Sequence, residues 1–126
     1  DAGLYPLPDR LKEDMGVIIG GGSGGLFEAE NFYAELLVKG LDRSRFSRLS
    51  TVYCASSADR IASNLGLLGP KTTLMTACSS GANALGYARD LIESGQAGIV
   101  LAGAVEPMCR ITSMREGSAS GVRPEP

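Results

Sequence analysis

The stretch TACSSGANALG, Thr76–Gly86, sets a single cysteine among small residues at the head of a helix-like pattern. A thiol at the start of a helix lies beside unpaired backbone N–H groups and the positive end of the macrodipole, both of which stabilise a thiolate. The small neighbours Ala77, Ser79, Ser80 and Gly81 leave room for a substrate carbonyl. The amide of Cys78 itself could help hold the oxyanion formed on attack, so the chemistry on offer is acyl transfer. Free cysteine is also among the most buried residue types. These residues alone therefore leave two readings of Cys78 open, a nucleophile or a small core side chain.

A second group invites a different chemistry. GGGSGG, Gly20–Gly25, contains G-x-G-x-x-G at Gly20, Gly22 and Gly25, between a strand-like and a helix-like segment, where a dinucleotide pyrophosphate would sit. Such a site needs a second strand ending in an acidic residue roughly 20 positions on. The sequence there is the polar LDRSRF, with Asp42 standing alone. No lysine follows the glycines as a phosphate-binding loop would require. The run is read as a tight turn that lets backbone pack closely against a neighbouring element, and no cofactor is expected.

Glu106 is read as an exposed or hydrogen-bonded loop carboxylate rather than a catalytic base. Cys54 and Cys109 sit at no strand-to-helix junction and are read as small packing residues. An odd set of three cysteines without CxxC spacing fits neither a secreted disulfide framework nor a zinc site. With no histidine in the chain, no metal centre is expected.

The elements that must position these groups follow from periodicity and glycine punctuation. MGVIIG, Met15–Gly20, predicts a buried strand. Leu26, Ala29, Phe32, Tyr33, Leu36 and Leu37 recur at helical spacing up to Gly40, and the Tyr and Phe near Asn31 are read as part of a packing face. Residues 41–50 lack period and predict an exposed connection. A second helix is predicted from Ser56, capped by a serine pair, with Asp59 in its first turn, Ala58, Ile61, Ala62 and Leu65 on one face, and Gly66 as its stop.

The Gly69–Pro70 turn leads into KTTLMTA, a predicted strand running up to Cys78. The helix after it would present Gly81, Leu85, Ala88 and Ile92 on one side and stop at Gly95. AGIVLAGA, residues 97–104, predicts a strand from the middle of a sheet covered on both faces. Residues 110–126 mix charge, Ser, Gly and Pro, and predict a loop or frayed tail. The order β-α-α-β-α-β places the chain in the α/β class.

Composition excludes several function classes. Twelve Lys and Arg against fourteen Asp and Glu give a net charge of −2, and no basic run would neutralise a nucleic acid backbone or an anionic membrane. Apolar runs fall far short of the roughly 20 residues of a membrane span, and the N-terminus lacks a signal pattern, so the expectation is a cytoplasmic location or a matured piece.

The run TACSSGANALGYARDLIESGQAGIVLAGAVEP, Thr76–Pro107, resembles the nucleophile segment of the β-ketoacyl synthases, the condensing enzymes of fatty-acid and polyketide synthesis. GVIIGGGSGG is similar to the family's strand and glycine-rich loop. ASSADRIASNLGLLGPKTTLMTACSSG is similar to its helix, Gly-Pro turn and strand into the active-site cysteine. The likeness runs in one collinear order over residues 15–107.

The resemblance implies a thiolase-like layered fold and a homodimer in which the strand Thr72–Ala77 pairs with its twin. It implies that Cys78 takes an acyl chain from an acyl carrier protein or coenzyme A thioester. A malonyl-type extender would then lose carbon dioxide and attack the Cys78 thioester in a Claisen condensation. Thr76, Ser79 and Gly81 match the surrounding motif and would shape the turn.

The family's extender-binding residues, two histidines or a histidine and an asparagine, lie in a second half with no counterpart here. Residues 1–126 thus correspond to a partial N-terminal synthase domain, without the first strand and the second half, expected to be inactive and poorly stable alone. A non-decarboxylating acyltransferase of the same superfamily and a non-catalytic packing subunit are the alternative expectations.

Overall fold

The computed structural model describes residues 7–41, 46–53 and 55–113. Asp42 and Cys54, and the tail from 114 onward, lie outside them. The elements are α1 (Asp9–Lys12), β1 (Met15–Gly20), α2 (Leu26–Lys39), α3 (Ser56–Leu65), β2 (Lys71–Leu74), α4 (Ser80–Glu93) and β3 (Ile99–Ala104), with 3-10 turns at Phe46–Thr51 and Ala77–Ser79.

The strands form a parallel sheet in the order β2-β1-β3, with Ile18 paired to Thr72 on one side and to Ala102 on the other. Every residue of β1 is buried, as expected of a strand flanked by both neighbours and covered on both faces. Alternation along β1 divides the core in two. Met15, Val17 and Ile19 pack with Ala58, Ala62 and Leu67 around α3, while Ile18 packs with Ala84, Ala88, Leu91 and Ala97 around α4. Val17 and Ile18 are fully buried, each worth about 1.5–3 kcal/mol of apolar transfer.

The two-sided arrangement follows from chain direction. From β1 through α3 to β2 the chain moves one way across the sheet, and from β2 through α4 to β3 it returns past β1. Right-handed crossovers in opposite directions put their helices on opposite faces. The result is a three-layer α/β/α unit.

Several expectations need correction. Among the described residues β3, predicted to be central, lies at the edge of the sheet, and Leu101 and Ala104 are exposed. Its uniformly apolar sequence does not report which strands flank it. β2 ends at Leu74 rather than running to Cys78, because the chain turns into the 3-10 segment.

The buried face of α4 is Ser80, Ala84, Ala88 and Leu91, whereas Leu85 and Ile92 point outward, because small side chains let the helix sit close to the sheet. On α2 only Phe32 is buried, its ring 5.5 Å from that of Phe46 in a tilted contact, while Tyr33 and Leu37 are exposed. α3 opens at Ser56 behind an Ala55 cap that supplies no side-chain bond, so the serine pair forms the first turn instead of capping it; Leu65 is exposed. Its stop is as read: Gly66 adopts φ 68°, and Leu67 N–H closes on the Ala62 carbonyl at 2.8 Å. Residues 110–113 of the expected loop or tail are helical.

Candidate active site

Cys78 lies in the turn between β2 and α4, at the carboxyl end of the parallel strands, where open α/β sheets gather their functional groups. The turn needs an unusual backbone. Ala77 has φ 51°, in the left-handed region that a side chain disfavours, and this reverses the chain so that Cys78 projects into solvent.

A hydrogen-bond network holds the reversal. The buried Ser80 hydroxyl accepts from the Thr76 amide at 2.9 Å, and its proton faces the Ala77 carbonyl at 2.7 Å and the Gly21 carbonyl at 3.3 Å. Ser79 Oγ donates to the Thr76 carbonyl at 2.7 Å, and Asn83 Nδ2 donates to Thr76 Oγ1 at 2.7 Å. Thr76 and Ser79 therefore shape the turn as the motif implied. Ser80 and Asn83 do so too, unassigned by the sequence; a hydroxyl four residues after Thr76 at a helix start was the available signal.

Two glycines let this turn sit on the sheet. A Cβ at Gly20 would collide with the Ser80 carbonyl, and one at Gly81 would stand 3.1 Å from Ala104 Cβ. The first turn of α4 is thereby pressed onto the ends of β1 and β3, which fixes Cys78 above them.

Cys78 opens into a cleft of about 1020 Å³ whose walls include Gly21, Ser23, Leu26, Val105, Met108 and Ile111. One wall is the glycine loop. Gly21 N–H donates to the Leu74 carbonyl at 3.0 Å, and Val105 N–H donates to the Gly20 carbonyl at 2.9 Å. Glu106 Oε2 accepts from the Gly22 amide at 2.6 Å, and Oε1 accepts from the Ser23 hydroxyl. The loop amide that a pyrophosphate would need is thus taken by a carboxylate of the protein, in keeping with a close-packed turn. Glu106 is hydrogen-bonded as read, but its partners lie more than eighty residues away and had no local signature.

The far wall is tied in the same way: Glu30 of α2 accepts from the Arg110 amide at 2.8 Å. Cys109 is buried, and its amide donates to Thr112 Oγ1 at 3.0 Å. An exposed thiol at a strand-to-helix turn, beside an apolar-walled cleft with hydroxyl and amide groups at its mouth, can accept an acyl group and shelter its chain.

Residues 1–124 match the family model described as the β-ketoacyl synthase N-terminal domain. The 3-oxoacyl-[acyl-carrier-protein] synthase 2 of Rhizobium meliloti (strain 1021) is 36% identical over 113 residues, which are 89% of this chain and 27% of that protein. Among solved structures, the ishigamide ketosynthase/chain length factor superposes with a TM-score of 0.74 at 28% identity, over 85% of this chain and 30% of that one. A β-ketoacyl synthase from Burkholderia phymatum STM815 shares the fold with a TM-score of 0.78 at 24% identity, over 94% of this chain and 29% of that one. The chain spans less than a third of each of these proteins.

Proposed function

The chain belongs to the β-ketoacyl synthase family, and from that membership we propose that Cys78 is the acyl acceptor of a carbon–carbon bond-forming acyltransferase of thiolase-like fold. The observation that carries the reading is the exposed Cys78 thiol, held by a left-handed Ala77 at the mouth of an apolar-walled cleft.

The thiolate of Cys78 attacks the carbonyl carbon of an acyl thioester, and the carrier thiol leaves with the proton that Cys78 gave up. The acyl chain then occupies the cleft. A malonyl-type thioester loses carbon dioxide, and the electron pair of the broken C–C bond attacks the carbonyl carbon of the Cys78 thioester. The thiolate departs, and a β-ketoacyl thioester remains on the extender's carrier. Forming the thioester first splits a difficult condensation into two easier steps.

Decarboxylation needs donors to the extender carbonyl. The chain has no histidine for that task, so these residues alone are not competent for condensation.

The carrier is an acyl carrier protein, in line with the name of the Rhizobium relative, with coenzyme A thioesters as simpler donors. The complete enzyme is a dimer. Among the described residues β2 lies at the edge of the sheet with its outer side open to pairing with a twin, and a ketosynthase/chain length factor is among the solved relatives. A cytoplasmic site of action is part of the same reading; among the described residues no helix is long and apolar enough to cross a membrane.

Intact mass after incubation with an acyl thioester tests the assignment. The expected result is one acyl adduct that disappears in Cys78→Ala. An adduct retained in that variant, or none in the parent, overturns it. Carbon dioxide release from a malonyl thioester by the full-length protein separates condensation from simple acyl transfer.

A further inference from the structure

Glu106 is the one charged side chain among the described residues lining the cleft, and its bonds run to the glycine loop rather than to Cys78. A Cβ at Gly22 would stand 2.6 Å from the same carboxylate, so loop and carboxylate are seated directly on each other. Charge-assisted hydrogen bonds of this kind are roughly twice as strong as neutral ones. A run of glycines has more backbone freedom to lose than any other sequence, and needs an outside anchor to keep one shape. Glu106 is that anchor at Gly22 and Ser23. Beyond it, the loop reaches the nucleophile turn through the Gly21 carbonyl, which faces the Ser80 hydroxyl at 3.3 Å.

We propose that Glu106 is a positioning residue for acyl transfer, holding the glycine loop in the conformation that shapes the cleft wall against the acyl chain. The proposal rests on Cys78 being the acyl acceptor. The carbonyl end of a bound acyl group meets the Cys78 turn, whatever its chain length. The remainder of a long chain meets Ser23, Leu26 and Met108, the wall that Glu106 fixes. Loss of the anchor therefore penalises long chains far more than short ones. Glutamine can copy both contacts, its carbonyl accepting from Gly22 N–H and its amide donating to Ser23 Oγ.

Rates of Cys78 acylation by acetyl- and dodecanoyl-pantetheine, read by intact mass, test this in the protein. Glu106→Ala is expected to slow dodecanoyl transfer by roughly tenfold to a hundredfold relative to acetyl transfer, the scale of a misplaced substrate-positioning group. Glu106→Gln is expected to restore most of that ratio. Ser23→Ala, which removes one of the two bonds without touching the carboxylate, is expected to fall between. Alkylation of Cys78 by iodoacetamide should stay within about twofold in every variant, which separates wall geometry from a general loss of fold. An unchanged dodecanoyl-to-acetyl ratio in Glu106→Ala and Ser23→Ala, or equal losses for both donors and for alkylation, overturns the proposal. Failure of the parent protein to form any adduct overturns the acyl-acceptor reading, and this one with it.

Discussion

Ala77 has φ 51° immediately before the thiol, and for an L-residue that region costs roughly 1–2 kcal/mol. The turn tolerates the cost because Ser80 and Thr76 bond across it. Replacing Ala77 by valine, whose branched Cβ fits this region worst, is expected to lower unfolding stability by a further 1–2 kcal/mol or so, whereas Ala77→Gly should not lower it. Equal shifts in apparent melting temperature for the two, measured in the complete enzyme, would show that the backbone angle is not the constraint. The motif made Cys78 legible as the residue of interest, because a collinear pattern of identities surrounds it. Its exposure was not legible, since a small buried cysteine and a reactive one share the same neighbours until the backbone angle of Ala77 is known.

Glycines act at the scale of elements, and two of them should behave oppositely. At Gly20 a Cβ would meet the Ser80 carbonyl, so Gly20→Ala is expected to push α4 off the sheet, costing about 1–3 kcal/mol as overpacking does, and to slow Cys78 acylation. Gly86 lies inside α4 with nothing within 4 Å of a would-be Cβ, so Gly86→Ala is expected to stabilise by about 0.5–1 kcal/mol through helix propensity. The apparent melting temperature of both variants, introduced into the complete enzyme, checks the pair, and the same sign for both would contradict this account. Helix and strand positions were readable because their periods are local, as at the Gly40 and Gly66 stops. The buried side of α4 was not, because Leu85 and Ala84 both fit a helical stripe and only the sheet beneath selects Ala84.

At the scale of the whole molecule, β2 and β3 are both open edges among the described residues, and Leu85 and Ile92 form an apolar strip on the outer side of α4. Unpaired edges and exposed apolar faces favour association. The 126-residue chain, purified alone, is therefore expected to aggregate on heating without a reversible unfolding transition. A cooperative, reversible transition from a monomer in calorimetry would refute this.

The sequence by itself determined the order of elements, their glycine stops, the family and the residue to suspect, because each is written in neighbouring residues or in collinear identities. Only the tertiary structure decided that β1 is central and β3 marginal, which side of α4 is buried, and that Glu106 clasps Gly22 and Ser23. Those outcomes depend on contacts between segments far apart in the chain. Such contacts form where the crossovers bring strand ends together, and no local pattern encodes them.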